Sequence, residues 1–347
     1  MNQAQIYQLI AGNTFPDTTR NPELMETHIS WVILTDHYAF KIKKPVKYSF
    51  LDFSTLKNRA YFTRRELLLN SRFSEGVYLK RLPVWEYKGK VSLEENGGEI
   101  IDWAIMMRRM NKEKQMNNML KEGQVTPKHI EELAERLADF HRNAKIIFLP
   151  QSLYNLKQNF NDILTTRELA EVVSPEVAQT IDRAVYVSNR FLLGHQQDFR
   201  KRVERGFVRD CHGDLHTGNI FLESPPVIFD CIEFNDEWRH ADVLDDLAFL
   251  CMDIEAAGGE DLSEIFLQKY LQRFPCITTP SDVAILTYYK LYRANVRMKV
   301  TLLEMAKNTL SAQEIETHKN RIKKYSELIN HYITQLATPS VIGVTVS

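Results

Sequence analysis

The chain has 347 residues, which at the usual domain length is about two domains and ample for a large buried core. With 44 Lys plus Arg against 45 Asp plus Glu, the net charge is −1 and the hydrophobic share 44%; that excludes wholesale disorder and offers no basis for non-specific binding to nucleic acid or an anionic membrane. No apolar run reaches the ~18 residues of a membrane span, no secretory signal opens the chain, and Cys211, Cys231, Cys251 and Cys276 form no C-x-x-C pair, so a cytoplasmic globular protein without disulfides or a zinc ribbon is predicted.

In chain order, residues 29–34 (ISWVIL) are β-prone, Thr35-Asp36-His37 makes a turn, and 38–43 (YAFKIK) alternates with period two until Pro45 stops the strand. Residues 55–72 read as a helix; 78–85 and 100–107 read as strands separated by a turn at Gly97-Gly98. After Met110 the pattern becomes helical. Thr126-Pro127 caps a helix whose Ile130, Leu133, Ala134, Leu137, Ala138 and His141 share one face. Ser174-Pro175 starts a helix to about 191, and Thr279-Pro280 one to about 305. Ser311 and Glu314 form a capping box ahead of a stripe of Ile315, His318, Ile322, Tyr325, Ile329, Tyr332 and Leu336 that reads as core. Set among these helices, 207–235 reads as strand, polar loop, short strand, turn at Pro225-Pro226, and buried strand. The division expected is a nucleotide-binding lobe over 1–110, a catalytic and acceptor-binding lobe over 111–338, and a flexible tail over 339–347.

The chemistry concentrates in His212-Gly213-Asp214-Leu215-His216-Thr217-Gly218-Asn219, with Asp230 ending the apolar run Val227-Ile228-Phe229. The order H-x-D-L-x-x-x-N, then a strand and Asp, matches the core of protein-kinase-like enzymes. Phosphoryl transfer needs a carboxylate to orient and deprotonate the attacking hydroxyl, here Asp214, and oxygen ligands for Mg²⁺, here Asn219 and Asp230. It also needs a strand lysine paired with a helix glutamate. Lys41 in YAFK and Glu66 in RRELLLN fill those places; Lys43, on the same strand face, leaves a register shift of two open.

HGDLHTGNI, VIFDCIEFN and RHADVLDDLAFL together resemble the aminoglycoside phosphotransferase family, the small-molecule branch of the kinase-like fold. FKIKKPV, FLDFSTL and YRANVRMKV resemble a bacterial subgroup in which such a domain often precedes a P-loop ATP-binding domain; no G-x-x-x-x-G-K-[ST] occurs in this chain. The resemblance, from about residue 20 to 335, implies an α+β, two-lobed protein-kinase-like fold with a small β-rich N-lobe and a larger, mainly helical C-lobe. It also implies an ATP- and Mg²⁺-dependent kinase acting on a small-molecule hydroxyl acceptor. In that reading Asp214 is the catalytic base, Asn219 and Asp230 hold magnesium, Lys41 contacts the ATP phosphates, and adenine lies along the 103–110 strand with its hinge at Met107–Met110. No nucleic-acid or membrane partner is implied; a separate P-loop ATPase is a partner the subgroup suggests. The sequence departs from protein kinases where a glycine-rich loop is expected, since Glu26-Thr27-His28-Ile29 contains no glycine, and where DFG is replaced by Asp230-Cys231-Ile232.

Secondary candidates surround this core. Asp245 and Asp246 read as helix N-terminal carboxylates, Asp242 as a residue ordering the catalytic loop, and His216 as an acceptor-binding or structural residue. Lys290, Arg293 and Arg297 form a basic helical stripe, either paired with those aspartates or taking an anionic group; Arg293 and Arg297 on the second reading predict a neutral or anionic acceptor. Two alternatives from other classes are a nucleotide-binding regulatory module partnering a separate ATPase, and a metal-dependent hydrolase using His212, Asp214, His216 and Asp230.

Overall fold

The structure, a computed structural model, describes residues 1–17, 19–149, 152–307 and 310–337; the tail expected at 339–347 lies outside them. The chain runs through α1 (Gln3–Gly12), β1 (Glu23–Glu26), β2 (Ser30–Leu34), β3 (Tyr38–Lys43), β4 (Lys47–Tyr48), β5 (Leu51–Asp52), α2 (Leu56–Asn70), β6 (Tyr78–Tyr87), β7 (Lys90–Ser92), β8 (Glu99–Arg108) and α3 (Met116–Lys121). There follow α4 (Pro127–Asn143), α5 (Leu153–Asn161), α6 (Arg167–Val173), α7 (Pro175–Gly194), α8 (Gln196–Glu204), β9 (Val208–Asp210), β10 (Ile220–Phe221), β11 (Val227–Ile228), α9 (Asp236–Arg239) and β12 (His240–Asp242). The last elements are α10 (Val243–Ala256), α11 (Glu260–Arg273), α12 (Pro280–Met305) and α13 (Ala312–Ala337). Contacts divide the chain into two compact units, Met1–Asn118 with Asn219–Trp238, and Met119–Gly218 with the chain from Arg239. This is the α+β fold expected, one lobe β-rich and the other mainly helical. Among the described residues no helix is long and apolar enough to cross a membrane.

The first unit is built on a six-stranded antiparallel sheet in the order β1-β2-β3-β8-β6-β7. Period two in β3 sends Phe40 and Ile42 to one face, where they join Ile6 and Leu9 of α1, Trp31, Ile33, Val84, Ala104 and Met106 in one apolar core. Lys41 and Lys43 fall on the opposite face. Sequence periodicity did not reveal α1, whose start is an Asn2–Gln5 capping box and whose only buried side chains are Ile6 and Leu9. It also missed β1 and β7; Lys88 and Gly89, both at positive φ, turn β6 back into β7.

Helix α2 inverts the ordinary pattern: its buried residues are Arg59, Thr63, Glu66 and Asn70, a polar stripe at helical spacing. Such a stripe survives burial only if its groups find partners. Arg59 donates to both carboxylate oxygens of Asp102 at 3.0 and 2.9 Å and to the Phe53 carbonyl. The β10–β11 hairpin, which its place among helices assigned to the helical lobe, belongs to this first unit.

The second unit is helical because the caps and stripes agree. Thr126 and Thr279 cap α4 and α12 with proline in the first turn, and all six expected residues of α4 are buried. On α13, Ile322, Tyr325, Ile329 and Tyr332 are buried, while Ile315, His318 and Leu336 are half-buried. Helix α10 is buried from Val243 to Ile254 on every side, so its carboxylates are interior groups with interior partners.

Candidate active site

In the first unit, β3, α2 and the segment after β11 converge on a chain of alternating charges. Lys41 Nζ lies 2.7 Å from Glu66 Oε1 and donates to Asp230 Oδ1 at 2.5 Å. Lys43 Nζ donates to Glu66 Oε2 at 2.6 Å, bonds Glu233, and sits 4.6 Å from the Phe53 ring centroid. Both lysines therefore pair with Glu66, one on each oxygen, and they differ in the second partner. Burial alone would lower the Lys41 ammonium, but Asp230 and Glu66 raise it well above ordinary lysine. Burial would raise the Glu66 carboxyl, yet Lys41 and Lys43 bring it down to about 2. At Glu233 burial wins, helped by the Glu66 charge and opposed by Lys43, and the carboxyl is pushed up.

The β10–β11 ladder fixes the other end. Ile220 faces Ile228, and the Phe229 amide donates to the Asn219 carbonyl at 3.0 Å, which puts Asp230 one residue past Asn219's cross-strand neighbour. Asp230 has φ +62°, a left-handed backbone unusual for a side chain other than glycine. Its amide donates to the Tyr78 hydroxyl at 3.3 Å, and the next amide, Cys231, donates to Asn70 Oδ1 at 2.8 Å. Amide and carboxylate oxygens of the Asn219 and Asp230 kind suit a hard divalent cation. Met107 pairs with Ala39 and Tyr78 in the sheet and packs in an apolar cluster with Val77, Ile105, Phe221 and Phe229. Where a glycine-rich loop was expected, the β1–β2 turn is closed by Thr27, whose amide donates to the Ser30 carbonyl and whose hydroxyl accepts from the Ser30 amide, both at 2.9 Å.

In the second unit the loop from His212 to Gly218 is held from below by α10. The amides of His212 and Gly213 donate to the two oxygens of Asp246 at 2.7 and 2.9 Å. The Thr217 amide and hydroxyl both donate to Asp253 Oδ2, at 3.0 and 2.5 Å. Gly213 has φ +86°, which a side chain would strain, and its carbonyl accepts from Arg293 Nη2 at 3.2 Å. Asp214 stands at the crest with His216 Nε2 3.6 Å away. Burial pulls its carboxyl up, but His216, His212 and Arg293 hold it below the ordinary carboxylate range.

Three expectations change. Asp242 does not hold the loop: it bonds Arg202 at 2.5 and 2.9 Å and caps its own helix at the Leu244 amide. Asp246, read as a macrodipole residue, does so instead, with His141 Nε2 3.2 Å behind it and the Tyr270 hydroxyl 2.8 Å from His141 Nδ1. The basic stripe is paired internally: Lys290 with Glu255 at 2.5 Å, Arg293 with Asp245 at 2.7 Å, and Arg297 with Asp253 at 3.7 Å. Charge already matched by carboxylates gives no preference for an anionic acceptor.

Sequence reasoning also passed over Asn70, Glu233 and Asp253, and placed His141 only on the core face of α4. Asp246 and Asp253 lie seven residues apart in a helix that also carries Asp245 and Glu255, so the sequence alone did not set them apart. The hydrolase alternative gains no support. Among the described residues the metal-compatible cluster is His141, Cys211 and Asp246, where both His141 nitrogens have partners and burial raises the Cys211 thiol well above its ordinary value.

The sequence matches the profile of the phosphotransferase enzyme family over residues 75–281. Uncharacterized proteins of Mycobacterium tuberculosis and Mycobacterium bovis are 33% identical over 284 residues, 80% of this chain and 54% of theirs. The chain thus spans about half the length of those relatives. Among solved structures, an amicoumacin kinase in complex with AMP-PNP, Ca2+ and Ami aligns with TM-score 0.55 at 12% identity over 94% of each chain. Choline kinase from Cryptosporidium parvum aligns with TM-score 0.53 at 11% identity, covering 97% of this chain and 98% of that one. The GDP complex of an aminoglycoside 2'-phosphotransferase aligns with TM-score 0.52 at 13% identity, covering 98% and 100%. At such low identity these likenesses establish the protein-kinase-like fold. With the profile spanning more than half of its length, the chain belongs to the phosphotransferase enzyme family.

Proposed function

We propose that the protein is a small-molecule kinase that transfers the terminal phosphoryl group of ATP to a hydroxyl of its acceptor. The observation that carries this reading is the Asp230–Lys41–Glu66 chain of ion pairs in the first unit, at the positions where phosphoryl transfer needs a metal carboxylate, a phosphate-binding cation and its anchor. Lys41 is the phosphate lysine rather than Lys43, because its side chain keeps 11% exposure against 2% for Lys43 and its second partner is Asp230. Asn219 and Asp230 would hold the divalent ion, which neutralises charge on the phosphates when bound. Met107 and its apolar neighbours offer a surface for the adenine. Asp214, kept ionised by His216, orients the acceptor hydroxyl and accepts its proton as the bond to phosphorus forms. The solved neighbours named for amicoumacin, choline and aminoglycoside phosphorylation support an alcohol-bearing small molecule as acceptor without choosing among those classes.

Asp214→Asn and Asp230→Ala separate the roles. Asp214→Asn should leave Mg·AMP-PNP affinity within about twofold and lower turnover by about 10²–10⁴-fold, the usual worth of a general base. Asp230→Ala should weaken Mg·AMP-PNP binding by about 10–100-fold or more, since loss of an outer-shell partner alone costs that much. Calorimetry beside ATP turnover reads both. Equal loss of nucleotide affinity in the two variants would make Asp214 a ligand instead of a base, and tight binding with no turnover in the wild type would make the protein a binding module.

A further inference from the structure

Lys43 and Glu233 are left over by the chemistry above. An anchored phosphate lysine needs one glutamate, and Glu66 supplies it. Yet Lys43, with 2% of its side chain exposed, occupies the second oxygen of that glutamate and carries its own acidic partner, Glu233, whose side chain is 4% exposed. Two buried charges are costly to desolvate, so their presence calls for a reason.

The connectivity supplies one. Asp230 and Glu233 lie three residues apart on one segment, Lys41 and Lys43 two apart on one strand, and Glu66 joins the lysines from α2. The five side chains close a ring: Asp230, Lys41, Glu66, Lys43, Glu233, and back along the chain to Asp230. In this ring the contact between Lys41 and Asp230 is the one that phosphate binding must give up, because an ammonium turned to a phosphate oxygen no longer satisfies the carboxylate in the same way. Without a second tie, the Asp230 segment would lose its side-chain anchor on β3 at the moment its carboxylate is needed. Lys43 and Glu233 are that tie, and the Asn70 side chain, which accepts from Cys231 and donates to the Glu66 carbonyl, reinforces it from the helix.

We propose that Lys43 and Glu233 form a positioning pair that fixes the Asp230 segment and the far oxygen of Glu66, so that Lys41 can exchange Asp230 for a phosphate oxygen without displacing either. This rests on the reading of Lys41 and Asp230 as the Mg·ATP-binding pair. The pair touches no reacting atom. It acts through Asp230, so its removal should cost metal-dependent nucleotide binding and leave metal-independent binding nearly intact.

The test compares wild type with Glu233→Gln, Lys43→Met, Lys43→Arg and the double variant Lys43→Met/Glu233→Gln. AMP-PNP affinity is measured by calorimetry in Mg²⁺ and in EDTA, and hydrogen exchange is followed over peptides covering 228–236 in the nucleotide-free protein. Glu233→Gln and Lys43→Met should each weaken binding in Mg²⁺ by about tenfold, as loss of a metal-orienting partner does, with less than about a twofold change in EDTA. The double variant should be no worse than the worse single one, since paired groups are lost together, and Lys43→Arg should recover most of the loss. Exchange over 228–236 should quicken while the α12 and α13 peptides keep the wild-type rate. Equal losses in Mg²⁺ and EDTA, or wild-type values in Glu233→Gln, would overturn the proposal. A wild-type protein that binds no nucleotide would sink the kinase reading itself; exchange then decides the anchoring on its own, and an unchanged 228–236 segment in Glu233→Gln would overturn that too.

Discussion

Asp246 shows how much one interior carboxylate can organise. It takes the two amides that begin the His212–Gly218 loop and keeps His141 behind it, so Asp246→Ala leaves buried donors without an acceptor. Each such amide costs about 1–3 kcal/mol, so a fall of about 2–6 kcal/mol for the two in the free energy of chemical denaturation is the expected result. Glu66 makes a second prediction, through pH. Its carboxyl is lowered from an ordinary 4.5 to about 2, because Lys41 and Lys43 outweigh its burial. A depressed folded-state pKa stabilises above the unfolded value and loses that contribution as pH falls through the folded one. The stability gap between wild type and Glu66→Gln should therefore be constant above about pH 5 and narrow between about 4.5 and 2. Urea titrations at neutral pH and at pH 3 measure it, and a gap that widens in acid would contradict the two-lysine anchor.

Elements written in local signals were legible from the sequence. The strand over YAFKIK, the α4 stripe behind Thr126-Pro127 and the α12 start at Thr279-Pro280 stand where caps and periodicity put them. Thr126→Ala tests one such signal: loss of its bond to the His129 amide should cost about 1 kcal/mol in thermal or chemical unfolding. Helix α2 shows the limit. Its existence followed from composition, but its buried face is Arg59, Thr63, Glu66 and Asn70, and an apolar-period argument points that face to solvent. Partners for those groups come from far along the chain, Asp102 at 43 residues from Arg59 and Cys231 at 161 from Asn70, and no local pattern encodes such a distance. For the same reason Glu66 and Lys41 could be named from motif order, whereas Lys43–Glu233 and the Asp246 tether could not.

At the scale of the whole chain, each unit carries its own buried ionic anchor. In the second it is Arg202, with 1% of its side chain exposed, bonded to Asp242 at 2.5 Å, to Asp282 at 2.5 Å and to the Cys276 carbonyl at 2.9 Å. Together these tie α8 to the start of α10 and the first turn of α12. Arg202→Ala takes the buried guanidinium from two interior carboxylates, leaving Asp242 with the Leu244 amide and Asp282 with Arg205 and the Thr278 and Thr279 amides. Breaking a buried pair costs about 3–5 kcal/mol, so a large drop in melting temperature is expected; a change under about 1 kcal/mol would mean water reaches the pair. The family is legible in HGDLHTGN and the apolar run ending at Asp230; the acceptor is not, because the basic stripe that hinted at its charge is consumed by internal pairs. The most direct measurement is transfer of label from radioactive ATP to a library of hydroxyl-bearing metabolites and aminoglycosides, run with wild type, Asp214→Asn and Asp230→Ala. A small-molecule kinase should give a labelled product in Mg²⁺ with wild type that both variants lose; labelling unchanged by Asp214→Asn, or hydrolysis of ATP with no acceptor labelled, would contradict it.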